Sequence, residues 1–243
     1  MLDTANDSIS EMAARWLAQF ERALSAGDWL AVKALFEPEC HWRDVLALSW
    51  DIQTVSGAEL VVAALKSHAG RARPADFKID VDRTPPRRVT RAGSDAIEAI
   101  FAFETADGRG EGVLRFIPGD DDGGNCKAWT LLTALHQLRG FEERVGTSRP
   151  TGEAYSRDFH GPNWLDLRNS AAAYDGREPT VLVVGGGQAG LSVAARLTQL
   201  GVDTLIVDRH PRIGDNWRKR YHALTLHNQV HVNHLPYMPF PPN

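Results

Sequence analysis

The sequence predicts an α+β domain followed by the opening β–α–β of a parallel α/β domain. Three observations predict it. Apolar residues recur at helical spacing in the first 65 or so residues and then at period two from Phe77 to Leu138. A continuous apolar run, Val181, Leu182, Val183 and Val184, enters a glycine-rich turn and then a second helical pattern. Between the two lies a stretch with no clear period that contains Gly146, Pro150, Gly152, Gly161, Pro162, Gly176 and Pro179. The expected divisions are residues 1–146, a connector at 147–179, and 180–243.

In the first division, Ser8 and Glu11 form a Ser-x-x-Glu capping box. Behind it Ile9, Met12, Ala13, Trp16, Leu17, Phe20 and Leu24 make one apolar stripe, which Gly27 ends. Asp28 can cap a short second helix carrying Leu30, Leu35 and Phe36, ended by Pro38. A second box, Ser56 to Glu59, opens a third helix with Leu60, Val61, Ala64 and Leu65 inward. The period then changes. Phe77, Ile79 and Val81 alternate with charged residues, as do Phe101 and Phe103 with Ala102 and Glu104, and Val113 to Arg115 less cleanly. In the long run Lys127 to Leu138, Trp129, Leu131, Thr133 and Leu135 share a face, and Asp120 to Gly124 make a turn. Helices followed by antiparallel strands specify α+β.

Composition limits the function classes. Hydrophobic residues at 43% and charged residues at 24% of 243 support a buried core rather than disorder. A net charge of −4 leaves no basic footprint for nucleic acid. Cys40 and Cys126 are too few for a disulfide framework and fit a reducing compartment as small core residues. There is no signal-peptide pattern and no apolar run of the ~18 residues that would span a bilayer, so a cytoplasmic protein without a membrane partner is expected.

The strongest chemical signal is Gly185-Gly186-Gly187-Gln188-Ala189-Gly190. It satisfies G-x-G-x-x-G directly after an apolar strand, the Rossmann-type dinucleotide fingerprint. Gly185 allows the tight turn, Gly187 lets the backbone approach a pyrophosphate, and Gly190 lets the helix pack on the strand. Gln188 and Ala189 open that helix, whose N-terminal N–H groups suit phosphate. The helix runs to Leu200 and Gly201 ends it. Thr204 to Val207 form the next strand and Asp208 follows at the distance expected of a carboxylate that bonds a ribose hydroxyl. That acid favours an unphosphorylated ribose, hence FAD or NAD.

With these residues in hand, the stretches GGGQAGLSVAARL, VDRHPRIGDNWRKRYHALTLH and LPYMPFPPN resemble the flavin-containing monooxygenases, in the branch that includes the plant indole-pyruvate enzymes. The resemblance covers residues 179–243. It implies that Gly185, Gly187 and Gly190 cradle the FAD pyrophosphate and that Asp208 holds the adenosine ribose. Asn216 and Trp217 would lie along the FAD, with His227 or Asn228 the next contact. It also implies an NADPH-consuming oxygenation of a small organic substrate through a flavin hydroperoxide. The family's second G-x-G-x-x-G, for NADPH, is not in this sequence, so the chain is expected to be the front of a longer enzyme and not to turn over alone. Catalytic residues are not assigned.

The helices, the late strands and Cys40-His41-Trp42-Arg43-Asp44 of the first division resemble the SnoaL-like cone fold, which implies an apolar pocket and pairing of two chains through this domain. Alternatives are a SnoaL-like binding or dimerisation module with a remnant glycine loop, or another two-dinucleotide flavoprotein reductase. His41 and Asp44 could act as an acid–base pair, though a structural role is the simpler reading. Trp16, Trp29, Trp42 and Trp50 read as core or dimer contacts rather than a binding box, Asp120–Asp122 as a solvated turn, and His227, His231 and His234 as surface or cofactor-lining groups, so no metal is expected.

Overall fold

The computed structural model describes residues 2–117, 126–146, 160–223, 225, 227–229 and 232–240. The chain divides into two compact units, residues 1–141 and 142–243. The Asp120–Asp122 turn and His231 lie outside the described residues.

Three helices and a seven-stranded sheet make the first unit: α1 (Leu2–Ala26), α2 (Trp29–Ala34), β1 (Phe36–Val45), β2 (Ile52–Ser56), α3 (Ala58–Ala72), β3 (Ala75–Ile79), β4 (Arg87–Arg91), β5 (Ser94–Glu104), β6 (Gly108–Ile117) and β7 (Lys127–Leu138). The strand order is β2-β1-β7-β6-β5-β3, with β4 also on β5. This is the predicted α+β arrangement, with one difference: β1 runs parallel to β7, so the sheet is mixed.

The predicted stripe of α1 is the core stripe, with Ala13, Trp16, Leu17, Phe20 and Leu24 buried. The helix starts earlier than its capping box implied, so Ser8 and Glu11 lie inside it. Residues 2–7 contain neither Gly nor Pro to stop it. Asp28 caps α2 as predicted, its carboxylate accepting from the Ala31 N–H at 3.0 Å. Pro38 does not end that helix; it lies in β1. Nor does Ser56 cap α3. Its hydroxyl is bonded to His41 Nδ1 at 2.8 Å, and Gly57, at φ 87°, occupies the cap position.

Aromatic rings fill the space between helix and sheet. Trp16 stacks on Phe20 at 5.0 Å, Phe20 meets Phe77 edge-on at 5.4 Å, and Phe77 stacks on Phe103 at 5.1 Å. The rings need glycine opposite them. Phe101 pairs with Gly112 and Phe103 with Gly110 across β5 and β6. A Cβ on Gly112 would stand 2.2 Å from the Phe101 ring and 2.4 Å from the Leu132 carbonyl.

His41 and Asp44 are not brought together. An odd separation on one strand puts them on opposite faces of β1. His41 is exposed; Asp44 is fully buried. The Asp44 carboxylate accepts from the Leu48 and Ser49 N–H groups, from Ser49 Oγ at 2.6 Å and from Thr133 Oγ1 at 2.6 Å. Thr133 Oγ1 in turn accepts from Trp42 Nε1 at 2.9 Å. Among the described residues every buried side-chain nitrogen and oxygen has a hydrogen-bond partner, and the acid fastens the 46–51 loop to the sheet. Its task is structural, as the simpler reading held.

On the opposite face, Glu98 is nearly buried among Arg87, Arg91 and Arg115, the last donating through Nε at 2.7 Å. Burial pushes the Glu98 carboxyl up, but the hydrogen bonds and charges of Arg115 and Arg91 outweigh it and hold the group below its ordinary range.

The second unit contains α4 (Trp164–Ala173), β8 (Val181–Val184), α5 (Gln188–Gln199), β9 (Thr204–Val207) and α6 (Asp215–Arg218). β8 and β9 are parallel, in the register Val181–Thr204 to Val184–Val207. Burial of β8 on both faces, expected from its apolar run, is not found. Val183 faces α5, while Leu182 and Val184 are exposed, because α5 covers only one face of the two-stranded sheet. The connector also departs from expectation by holding a helix, α4, opened by a capping box between Asn163 and Asp166.

Two outcomes follow for the first unit. Asp44→Ala strands two buried amides and the Thr133 hydroxyl, and should cost about 3 kcal/mol; a urea midpoint, read by tryptophan fluorescence, equal to wild type would refute the structural role. Because the folded Glu98 pKa lies below its unfolded value, its contribution is present above the ordinary glutamate range and lost as pH falls below it. Glu98→Gln should therefore flatten the acid limb of a stability–pH profile; an unchanged limb would contradict the cluster.

Candidate functional site

The site grows from the contact between β8 and α5. Gly185, at φ 110°, turns the chain out of the strand. A Cβ on residue 190 would fall 1.9 Å from the Gly185 carbonyl oxygen, so only glycine permits this approach. The turn delivers α5 with Gly187 at its cap and no side chain bonded to the cap. The Gly187, Gln188, Ala189 and Gly190 amides have no hydrogen-bond partner among the described residues. These four donors stand at the positive end of a 12-residue helix.

Asp208 closes the loop from the next strand. Its Oδ2 accepts from Gly186 N at 2.7 Å and its Oδ1 from His210 N at 2.7 Å. Those two backbone bonds, the His210 one foremost, hold its carboxyl below the usual range. Each oxygen keeps a second lone pair for a ligand hydroxyl.

A third wall follows β9. Asp215 opens α6 and is nearly fully buried. Burial pushes its carboxyl up, but the Arg218 hydrogen bond and the charges of Arg212, Arg218 and Lys219 more than reverse this. Arg218 Nε bonds it at 2.9 Å. The ion pairs fix the turn that carries Asn216 and Trp217. Asn216 Nδ2 lies 3.2 Å from where a Cβ on Gly187 would stand, so the two walls meet closely here. Residues 208–220 hold five Arg or Lys (Arg209, Arg212, Arg218, Lys219, Arg220) against Asp208 and Asp215, a local excess of positive charge.

These elements enclose a cleft of about 350 Å³. Of the predicted site residues, Gly187, Gln188, Asn216 and Trp217 line it. Gly185, Ala189 and Gly190 shape the loop, and Asp208 holds Gly186. Asn228 is not part of the lining; its carbonyl accepts from Asn233 Nδ2 at 3.2 Å. The lining also holds His234, which the sequence read as a surface or cofactor-lining group, and residues not assigned to the site: Leu191 and Ile213, and Val232, Leu235 and Phe240 from a later strap. Leu191 could have been found, since the first helical turn after the glycine loop must face the ligand. The strap has no periodic signal. His234 Nδ1 accepts from Phe240 N at 2.9 Å. Among the described residues no three His, Cys, Asp or Glu side chains converge as metal ligands, and no helix is long and apolar enough to cross a membrane.

The model of an NAD(P)-binding Rossmann-like domain matches residues 183–240. A probable indole-3-pyruvate monooxygenase of Arabidopsis thaliana is 44% identical over 66 residues, 27% of this chain and 16% of that protein. An uncharacterized oxidoreductase of Geobacillus kaustophilus is 43% identical over 58 residues, 24% of this chain and 17% of its own length. The matched stretch thus spans about a sixth of these relatives. Among solved structures, a domain of unknown function with a cystatin-like fold from Nostoc punctiforme is similar at 12% identity, covering 54% of this chain and 78% of that one with a TM-score of 0.40. An NTF2-like protein of unknown function from Cytophaga hutchinsonii matches at 8% identity, covering 50% and 87%, with a TM-score of 0.31.

Proposed function

We propose that the second unit binds the adenosine–pyrophosphate half of FAD and that the chain contributes this site to a flavin- and NADPH-dependent monooxygenase acting on a small organic substrate. The observation that carries the reading is the meeting of four free helix-start amides with the Asp208 carboxylate across one glycine turn. Donors at a helix start and a carboxylate at the end of the next strand are the groups that a pyrophosphate and a ribose call for. The likeness to the indole-3-pyruvate monooxygenases supports FAD as the occupant.

The residues present fit that group. Gly187 leaves the loop backbone bare, and the amides of residues 187–190 would hold the pyrophosphate oxygens. Asp208 would accept from the ribose hydroxyls without leaving Gly186. The cations of 208–220 would raise the local concentration of an anionic ligand, and Leu191, Ile213 and Trp217 give one side of the cleft apolar surface for the ligand to cover. FAD, when bound, supplies the redox chemistry, in which electrons from a reduced nicotinamide reach dioxygen. This chain's part is to bind and orient.

A second reading, NAD in the same cleft, is favoured by the NAD(P)-binding description of the matching domain model. Parallel titrations of the full chain with FAD and NAD, followed by ligand fluorescence for FAD and calorimetry for both, separate the two. FAD should bind and NAD should bind more weakly; the reverse order would replace the first reading with the second, and binding of neither would end both. Asp208→Asn should weaken FAD about tenfold, as for a lost hydrogen bond to a charged group. Unchanged affinity in that variant would remove Asp208 from the site.

A further inference from the structure

The strap that lines the cleft is shaped by bonds of its own. Leu235 and Met238 exchange backbone hydrogen bonds at 3.3 and 3.0 Å, closing a tight turn. Asn233 Nδ2 bonds the carbonyls of Asn228 and Gln229, and Val232 N also bonds Gln229. These bonds fold the segment but do not attach it to the helix across the cleft. Tyr237 does. Its hydroxyl donates to Glu143, and Arg196 NH1 donates to the same hydroxyl at 3.4 Å. Arg196 also makes an ion pair with Glu143. Arg196 stands on α5, the helix whose first turn offers the free amides. Glu143 is held close to the other end of α5, because its neighbour Arg144 donates its N–H to the Gln199 carbonyl at 2.9 Å.

We propose that Glu143, Arg196 and Tyr237 are positioning residues that fix the 232–240 strap as a wall of the dinucleotide cleft; this rests on the binding reading above. Two features of Tyr237 support a polar anchor over simple packing. The residue is 44% exposed, so burial does not hold it. Its backbone sits at φ 62°, a region unfavourable to any residue with a Cβ, and persists only where surrounding contacts impose it. The Leu235–Met238 turn places Tyr237 at that angle, and the hydroxyl ties the turn to Glu143. The Glu143 carboxylate joins two donors from segments far apart in sequence, one on the helix and one on the strap. The wall can therefore be displaced by removing one oxygen atom.

The test uses the full chain and the variants Tyr237→Phe and Glu143→Gln, with amide hydrogen exchange and FAD binding as readouts. Tyr237→Phe removes the hydroxyl and keeps the ring. It should raise exchange in 232–240 and weaken FAD about fivefold, the equivalent of one ordinary hydrogen bond. Amides of β8 and the body of α5 should keep their protection, which a general loss of stability would not allow. Arg196→Lys, which keeps a cation for Glu143, should bind FAD more tightly than Arg196→Met. Wild-type exchange in the strap, or wild-type affinity in both variants, overturns the inference and leaves the binding reading intact. A wild-type chain that ignores FAD overturns both.

Discussion

The carbonyl oxygen of Gly185 occupies the place where any side chain on residue 190 would begin. The second unit is organised around that approach. Because α5 can close on β8, its first amides emerge next to the turn instead of a residue or more away. Because the turn is all backbone, Gly186 is free to donate to Asp208, which links the end of β9 to the loop after β8. The chain beyond β9 then brings Asn216 against Gly187, and the buried Asp215 with its three cations keeps it there. Each step narrows the same place, where free amide donors and the Asp208 carboxylate stand on either side of one glycine turn.

The first unit uses its polar residues differently. Asp44 is the kind of buried acid that suggests catalysis, yet its oxygens are occupied by two amides and two hydroxyls. A carboxylate so completely bonded is a fastener. The rings of Phe101 and Phe103 occupy the interior over Gly112 and Gly110, and Trp16, Phe20 and Phe77 continue the stack. Glu98, with its arginines, fixes β4, β5 and β6 to one another from the other side.

Legibility in the sequence followed periodicity and local chemistry. The stripe of α1, the alternation of β5 to β7 and the glycine loop announce themselves within a dozen residues. β1 did not, because its inward residues Phe36, Cys40, Trp42 and Asp44 are broken by Pro38 and an acid at the burial face. Its partner β7 also lies far along the chain, as the Trp42–Thr133 bond across 91 residues shows. Helix α4 lacks an apolar stripe and buries no residue, so only its capping box marks it. The Ser56 box misled because Gly57 takes the cap position of α3 and the Ser56 hydroxyl is bonded to His41 on the neighbouring strand. In the site, the glycines, Asp208 and the Asn216–Trp217 pair were readable from spacing and likeness. The strap was not, since Tyr237 is placed by a residue 94 positions earlier.

The central claim is that a dinucleotide enters the cleft at the start of α5. Nitrogen-15 chemical shifts of the full chain, recorded with and without FAD, test it most directly. The account predicts shifts concentrated in the amides of 186–191 and 208–217, with the first unit unmoved. Shifts confined to the first unit, or none at saturating FAD, would contradict it.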